Sequence, residues 1–449
     1  MAIPKSFETC NDYIQEMLLF LEKYQWLYNY RNTHILVEKQ FSIIAIPWKD
    51  YILNLSQEDL QNIFMGKFDH KVPSSLIHFL KSLEAFEPEL KLSTVKLDFV
   101  CPHNSGLSKK KIHEIQSLAP LIEQTCQAYQ CDLIVDIGSG LGYLSHFLYS
   151  KYNYKVLGLE ASEEFLHAAY RHQEKYHPAS RGCVKFCRIY IKDDSCEDVE
   201  RLIEEHFNKA ENICITGLHA CADLSIDILH LFAKMKSAKA LVVMPCCYHR
   251  IQCKVESNRC EYFKNFPSSL VFKEEFHKHE FYRFIRRPFL RLACQRRNFN
   301  IFNLSEEESN CQARSWMFRA IFQAVVEEEK YCIRVKSSLE KLKSVSNDDD
   351  AFLEYVCTLQ NKFVFEQAGS ICNAEVFTEK MWKKYLENQN NLILFKFLMA
   401  FQARIQNMCE NFVLMDRVQL LKQNGLTCDI RKVTDDFVSP RCFALVCVR

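Results

Sequence analysis

The sequence predicts an α/β protein: a parallel sheet with helices on both faces. Three observations carry that expectation. Short runs rich in Val, Ile and Leu alternate with helical periodicity from about residue 108 to 245. Glycine is scarce, 10 in 449 residues, yet seven of the ten fall between Gly106 and Gly217. Three of those, Gly138, Gly140 and Gly142, lie where the first apolar run turns into a helix.

The elements follow in order. Residues 1–100 read as an N-terminal helical region: apolar residues repeat at helical spacing over 13–27, and Ser56 precedes Glu58 and Asp59 as an N-cap with acids in the first turn. Pro73-Ser74-Ser75 opens a further helix through Leu76, Phe79, Leu80 and Leu83. The core, 101–299, begins with a helix over 109–129. Strands follow at 131–137, 154–160, 183–189, 212–218 and 240–244. Residues 300–412 form a charged insertion with helical periodicity. In it the ten-residue run 392–401 contains Lys396 and reads as a buried helix. Residues 413–449 return to the sheet: a helix over 416–423 stops at Asn424-Gly425, and 428–433 and 442–448 read as two strands.

Composition excludes several classes. Hydrophobic residues at 48% and charged residues at 25% are ordinary for a globular chain and exclude wholesale disorder. Fifty-seven basic against 56 acidic residues exclude a uniformly basic nucleic-acid coat, though not a local patch. Twenty-two cysteines diluted in a large chain, behind a start with no apolar leader, point to reduced thiols in the cytoplasm or nucleus. No apolar run reaches the roughly 18 residues that span a bilayer, so no membrane is expected.

The segment from Val135 through Asp136 to Gly142 carries the chemistry. Glycines at a strand-to-helix turn let backbone N–H groups approach a ligand closely. The spacing is G-x-G-x-G, with Tyr143 where a dinucleotide fingerprint has its third glycine. Glu160 ends the second strand, where an acid can accept hydrogen bonds from ribose hydroxyls. The bland alternative is a turn without a ligand. The arrangement resembles the AdoMet-dependent methyltransferases of the Rossmann-like, seven-stranded class. That resemblance implies a Rossmann-like methyltransferase sheet, with an N-terminal helical region and a long helical insertion before the last two strands. It also implies that Asp136, Gly138, Ser139, Gly140 and Gly142 hold the amino-acid end of S-adenosyl-L-methionine, Glu160 its ribose and Asp193 the neighbourhood of its adenine.

Two further segments end strands on the ligand side of such a sheet: Gly217-Leu218-His219-Ala220-Cys221-Ala222-Asp223-Leu224 and Pro245-Cys246-Cys247-Tyr248-His249-Arg250. Their thiols and imidazoles could bind zinc, hold substrate, or do acid–base work. No C-x-x-C pair occurs there, so no metal is expected, and His219, Asp223 and His249 are the candidate catalytic groups.

Together with Gly106 to Glu114, Leu292-Ala293-Cys294-Gln295 and Ser439-Pro440-Arg441-Cys442, these motifs resemble the methyltransferase-like protein 25 family, relatives of the ribosomal RNA adenine dimethylase domain-containing protein. That family has lysine where Leu141 stands, and glycine where Ala222 and Pro245 stand. The Asn-Pro-Pro-Tyr-type motif of adenine-N6 dimethylases is replaced by Leu218-His219-Ala220-Cys221. The Leu-His-x-Cys and Cys-Cys-x-His-Arg pair is similar to a tRNA 2′-O-methyltransferase family, which implies an RNA hydroxyl as acceptor. Six arginines without an acid between Arg283 and Arg297, interleaved with aromatics, form a strip suited to phosphates and bases, or to pairing with nearby acids. The expectation is an AdoMet-dependent methyltransferase acting on RNA. A protein substrate and a non-catalytic module are the alternatives.

Overall fold

A strand covered by helices on both faces has no polar side, and near-continuous apolar runs are its signature. Five such runs become β1 (Leu133–Ile137), β2 (Lys155–Glu160), β3 (Val184–Arg188), β4 (Ile213–Cys221) and β5 (Ala238–Cys246) in a computed structural model of the chain. The structure describes residues 3–88, 90, 107–208, 210–256, 261–295, 304–336, 348–435 and 438–449. Gly106, Cys260, Arg296 and Arg297 lie outside the described residues. A hairpin follows, β6 (Cys253–Glu256) with β7 (Glu261–Phe263). Then come β8 (Cys332–Val335), β9 (Phe363–Gln367) and β10 (Ser370–Ile371), and finally β11 (Thr427–Lys432) and β12 (Phe443–Val448).

Seven strands form one sheet in the order β11-β12-β5-β4-β1-β2-β3. All neighbours are parallel except β12, which runs antiparallel to both β5 and β11. The chain builds outward from β1 in one direction through β2 and β3, then returns to its other side with β4. That reversal opens a crevice beyond the C-terminal ends of β1 and β4, the ligand position of open α/β sheets. The long insertion before the last two strands is therefore compatible with a single sheet.

β4 and β5 extend beyond their expected ends. The apolar pattern of β4 breaks at His219, but a register shift between Leu218 and Ala220 absorbs it and pairing continues to Cys221 opposite Cys246. His219 takes a left-handed φ of 66° there.

The chain divides into two compact units, Met1–Lys23 with Ala85–Asn298 and Ile405–Arg449, and Tyr24–Glu84 with Phe299–Arg404. The first holds the seven-stranded sheet. The second joins most of the N-terminal helical region to the insertion, a division that cuts across the sequence boundaries at 100 and 412. Gln57 is its hinge of polar contacts: its side-chain oxygen accepts from the Ser309 hydroxyl at 3.2 Å and from Lys396 Nζ at 3.0 Å. Those bonds explain how Lys396 is buried in an apolar helix. This unit is not wholly helical: β8, β9 and β10 make a small antiparallel sheet, too short and too mixed in sequence to announce itself. The stretches 392–401 and 416–423 also prove to be one helix, Leu392–Lys422. Polar residues between them, among them Gln406, Glu410 and Asn411, are buried with internal partners instead of breaking it.

Asp416 on that helix is fully buried. Its carboxylate accepts the backbone N–H groups of Ser268 and Ser269 and the Ser269 hydroxyl, each at 2.8 Å. Asp416→Ala leaves three buried donors without this acceptor, and we expect a loss of about 3 kcal/mol of unfolding free energy. The check is the urea midpoint at constant slope; an unchanged midpoint refutes this role.

Candidate functional site

The turn after β1 is shaped by three left-handed glycines, Gly138, Gly140 and Gly142, with φ of 73°, 56° and 79°. The N–H groups of Gly138 and Ser139 reach the Leu159 carbonyl at 2.8 and 3.2 Å, which seats the turn against the end of β2. Phe186 of β3 fills the space beneath: a Cβ on Gly142 would stand 2.3 Å from its ring, and one on Gly158 2.5 Å. A Cβ on Gly140 meets nothing within 4 Å, so the space over the turn is open.

Asp136, the fourth residue of β1, is 2% exposed and accepts the Ser145 hydroxyl at 2.7 Å. Burial pushes its carboxyl up to about 6, against the Ser145 bond and the charge of Lys111, with Glu160 adding to the rise. Burial also lowers the Lys111 ammonium, which the charges of Glu114 and Asp136 oppose. Glu160 grips the turn: one oxygen accepts the Gly140 N–H at 3.0 Å, the other the Ser162 N–H at 2.9 Å. Asp193 is exposed beyond β3, and its carbonyl accepts Lys234 Nζ at 2.5 Å.

These residues fit S-adenosyl-L-methionine. A buried acid gains from a cationic ammonium group, open space lies over Gly140, and a second acid closes β2. The buried Ser139 hydroxyl has no hydrogen-bond partner among the described residues. Asp136, Gly138, Ser139, Gly140 and Gly142 would hold its amino-acid end, and Glu160 the ribose.

The rim beyond β4 and β5 holds the other candidates. His219 Nε2 lies 2.9 Å from Glu114 Oε2, and the other Glu114 oxygen accepts the Ser439 hydroxyl at 2.5 Å. Glu114 is 1% exposed. Burial alone would raise its carboxyl. The hydrogen bond and charge of His219, the Ser439 hydroxyl and Lys110 outweigh that and hold it at about 2. It therefore contributes stability that is complete above the ordinary value of 4.5 and is lost as pH falls toward 2. Asp223 has both oxygens engaged, one by the Gln252 N–H at 2.9 Å and one by the Asn265 amide at 2.8 Å. His249 Nδ1 stands 3.0 Å from Cys294 Sγ. Burial lowers the His249 imidazole, helped by Arg291.

Cys221, Cys246 and Cys247 converge, their Sγ atoms all within 4.8 Å of one another. Hydrogen bonds from Cys221 and Cys246 hold the Cys247 thiol well below the usual range, and Cys246 is correspondingly pushed up. Tyr248 turns inward, its hydroxyl 3.3 Å from Glu410 and its ring 5.0 Å from the Arg417 guanidinium. Arg441 donates to the Cys294 carbonyl at 2.6 Å. Ala222 takes the left-handed φ of 52°, at the position where the resembled family has glycine.

Sequence reasoning gave no role to Glu114, Ser439, Cys294 or Arg441. Each lay inside a quoted motif, so the signal was present. Only the fold shows that these motifs meet at one rim.

Because its pKa rises on folding, Asp136 binds a proton more readily in the folded chain. Its burial costs stability progressively from pH 3.8 to about 6 and in full above that. Asp136→Asn is expected to stabilise the ligand-free protein by about 2–3 kcal/mol at pH 7.5 while weakening AdoMet binding at least tenfold. Thermal melts with and without AdoMet, run beside calorimetric titration, check both halves.

The family match and the curated relatives agree with a methyltransferase site. A family described as a methyltransferase domain matches residues 110–254. The "probable methyltransferase-like protein 25" of Mus musculus is 21% identical over 473 residues, covering 76% of this chain and 75% of its own. The Homo sapiens protein of the same name is 20% identical over 477 residues, with the same coverage. Among solved structures, a SAM dependent methyltransferase from Aquifex aeolicus is 15% identical, covering 37% of this chain and 85% of its own, with a TM-score of 0.22. M. capricolum TrmK, in complex with S-adenosyl-homocysteine, is 16% identical over 32% of this chain and 63% of its own, with a TM-score of 0.21. The chain is similar to these methyltransferase-like protein 25 relatives over three quarters of its length, and it is an AdoMet-dependent methyltransferase.

Proposed function

We propose that the protein methylates RNA at an oxygen acceptor, in the cytoplasm or nucleus, with His219 as the base. The carrying observation is the His219–Glu114 pair at the rim of the cofactor crevice. A neutral imidazole that donates Nε2–H to a buried carboxylate has its lone pair on Nδ1. Nδ1 takes the acceptor's proton, and Glu114, charged at any working pH, stabilises the imidazolium that forms. Bound AdoMet supplies an electrophilic methyl group. This chain's residues hold the acceptor in line with it and remove the proton. With both carboxylate oxygens engaged, Asp223 positions the loops after β5.

Exposed cations beside Glu114 and His249 support a phosphate-bearing acceptor: Lys110, Arg250 and Arg291. The arginine strip contributes unevenly. Arg287 is spent inside, donating to the His249 carbonyl at 2.5 Å and lying over the Phe263 ring, while Arg283 pairs with Glu280 at 2.6 Å. Arg291 remains exposed.

The test is transfer of labelled methyl from AdoMet into whole-cell extract, followed by RNase or protease digestion. Gly140→Arg is the inactive comparison, because its side chain enters the open space over the turn. Label lost to RNase supports the proposal, and label lost only to protease moves the acceptor to a protein. His219→Ala is expected to lower turnover by about 10²–10⁴-fold with AdoMet affinity unchanged, and Glu114→Gln to lower kcat more than it raises KM. Full turnover in His219→Ala refutes its role.

A further inference from the structure

We propose that Cys221, Cys246 and Cys247 bind one zinc ion where β4 and β5 end. All three Sγ atoms fall within 4.8 Å of one another, and Cys221 and Cys246 approach to 3.0 Å. A tetrahedral zinc with Zn–S bonds of about 2.3 Å needs sulfur–sulfur separations of roughly 3.8 Å, inside that range. A disulfide uses two sulfurs and leaves the convergence of the third unexplained.

The backbone holds the donors in place. Cys221 and Cys246 are ladder partners at the ends of two paired central strands, and the Ala222 N–H to Cys246 carbonyl bond of 2.9 Å continues that ladder one step further. Cys247 adopts a left-handed φ of 54° directly after β5. This pairing also explains the lack of a metal-ligand spacing in the sequence: the ligands are brought together across a ladder, and no C-x-x-C spacing is needed. Three thiolates leave a zinc centre with one net negative charge, and the positive charge of Arg441, which acts on all three cysteines, offsets it.

Among the described residues no fourth His, Cys, Asp or Glu joins the group within the same distance. His249, two residues on, is occupied at Nδ1 by Cys294. Three protein ligands with a free fourth position is the arrangement of zinc sites that exchange a ligand, whereas structural sites are closed by four. The fourth ligand here is water, or a donor atom of the incoming acceptor.

The experiment uses the full chain purified under reducing conditions. Metal analysis is expected to give about one zinc per chain, and replacing zinc by Co²⁺ to give thiolate-to-cobalt charge-transfer absorption in the near ultraviolet. Cys247→Ser is expected to weaken zinc binding by more than about 100-fold, while Cys253→Ser, on the neighbouring hairpin, leaves it unchanged. The wild-type cobalt spectrum reads the site without any variant, so a Cys247→Ser protein that fails to fold does not decide the matter. Three results overturn the proposal: reduced wild-type protein that takes up neither metal, cobalt bands that persist in folded Cys247→Ser, or bands that vanish in Cys253→Ser.

Discussion

The carboxylate of Glu114 joins three stretches of chain far apart in sequence. It sits on the helix Lys109–Ala128, lies 2.9 Å from Nε2 of His219 at the bulge of β4, and accepts the hydroxyl of Ser439 just ahead of β12. Removing a donor from this buried carboxylate leaves it short of a hydrogen bond in a medium of low polarity, at a cost of about 1–3 kcal/mol. The orientation of these pieces, and not merely their proximity, hangs on it. His219 has the backbone of a left-handed residue and one ring nitrogen fixed. Its remaining nitrogen is thereby given a direction.

Beside that pair, the cofactor crevice is built on the opposite principle. Among the described residues Asp136 has no hydrogen-bonded cation, so the ligand-free protein carries a costly buried charge that a bound ammonium group relieves. One acid is satisfied by the fold and organises it. The other is left short by the fold and is completed by what it binds. Lys111 feels both, since the charges of Glu114 and Asp136 each act on its ammonium. The helix carrying it thus connects the two halves of the site electrostatically.

The cofactor half was largely legible in the sequence because its determinants are local: a strand, a glycine turn and an acid at the next strand's end fall within twenty-five residues or so of one another. The strands of the sheet were legible for the same reason, since burial on both faces writes itself as apolar runs. The rim was legible only as separate motifs. Glu114, Cys294 and Ser439 look like ordinary polar residues until the fold brings them to His219 and His249. The small sheet β8–β9–β10 was missed because its strands are short and, apart from Phe365, not buried, so no apolar alternation marks them and helical neighbours dominate the local pattern. The helix Leu392–Lys422 was read in two pieces because its buried Gln406, Glu410 and Asn411 imitate a solvent-facing break. Composition along one helix does not reveal that such groups find partners inside the protein.

The antiparallel strand β12 has a consequence for how the protein is made. β5 ends at Cys246, but the strand that covers its outer edge begins only at Phe443. During synthesis the ribosome extends the whole insertion while the edge of β5, whose residues Leu241, Val242 and Val243 are fully buried in the finished sheet, waits unpaired. An open apolar edge is a template for pairing with another chain. A premature stop codon anywhere between the two strands therefore does more than delete a tail: it leaves an adhesive nascent product, one that quality control must clear before it gathers other chains.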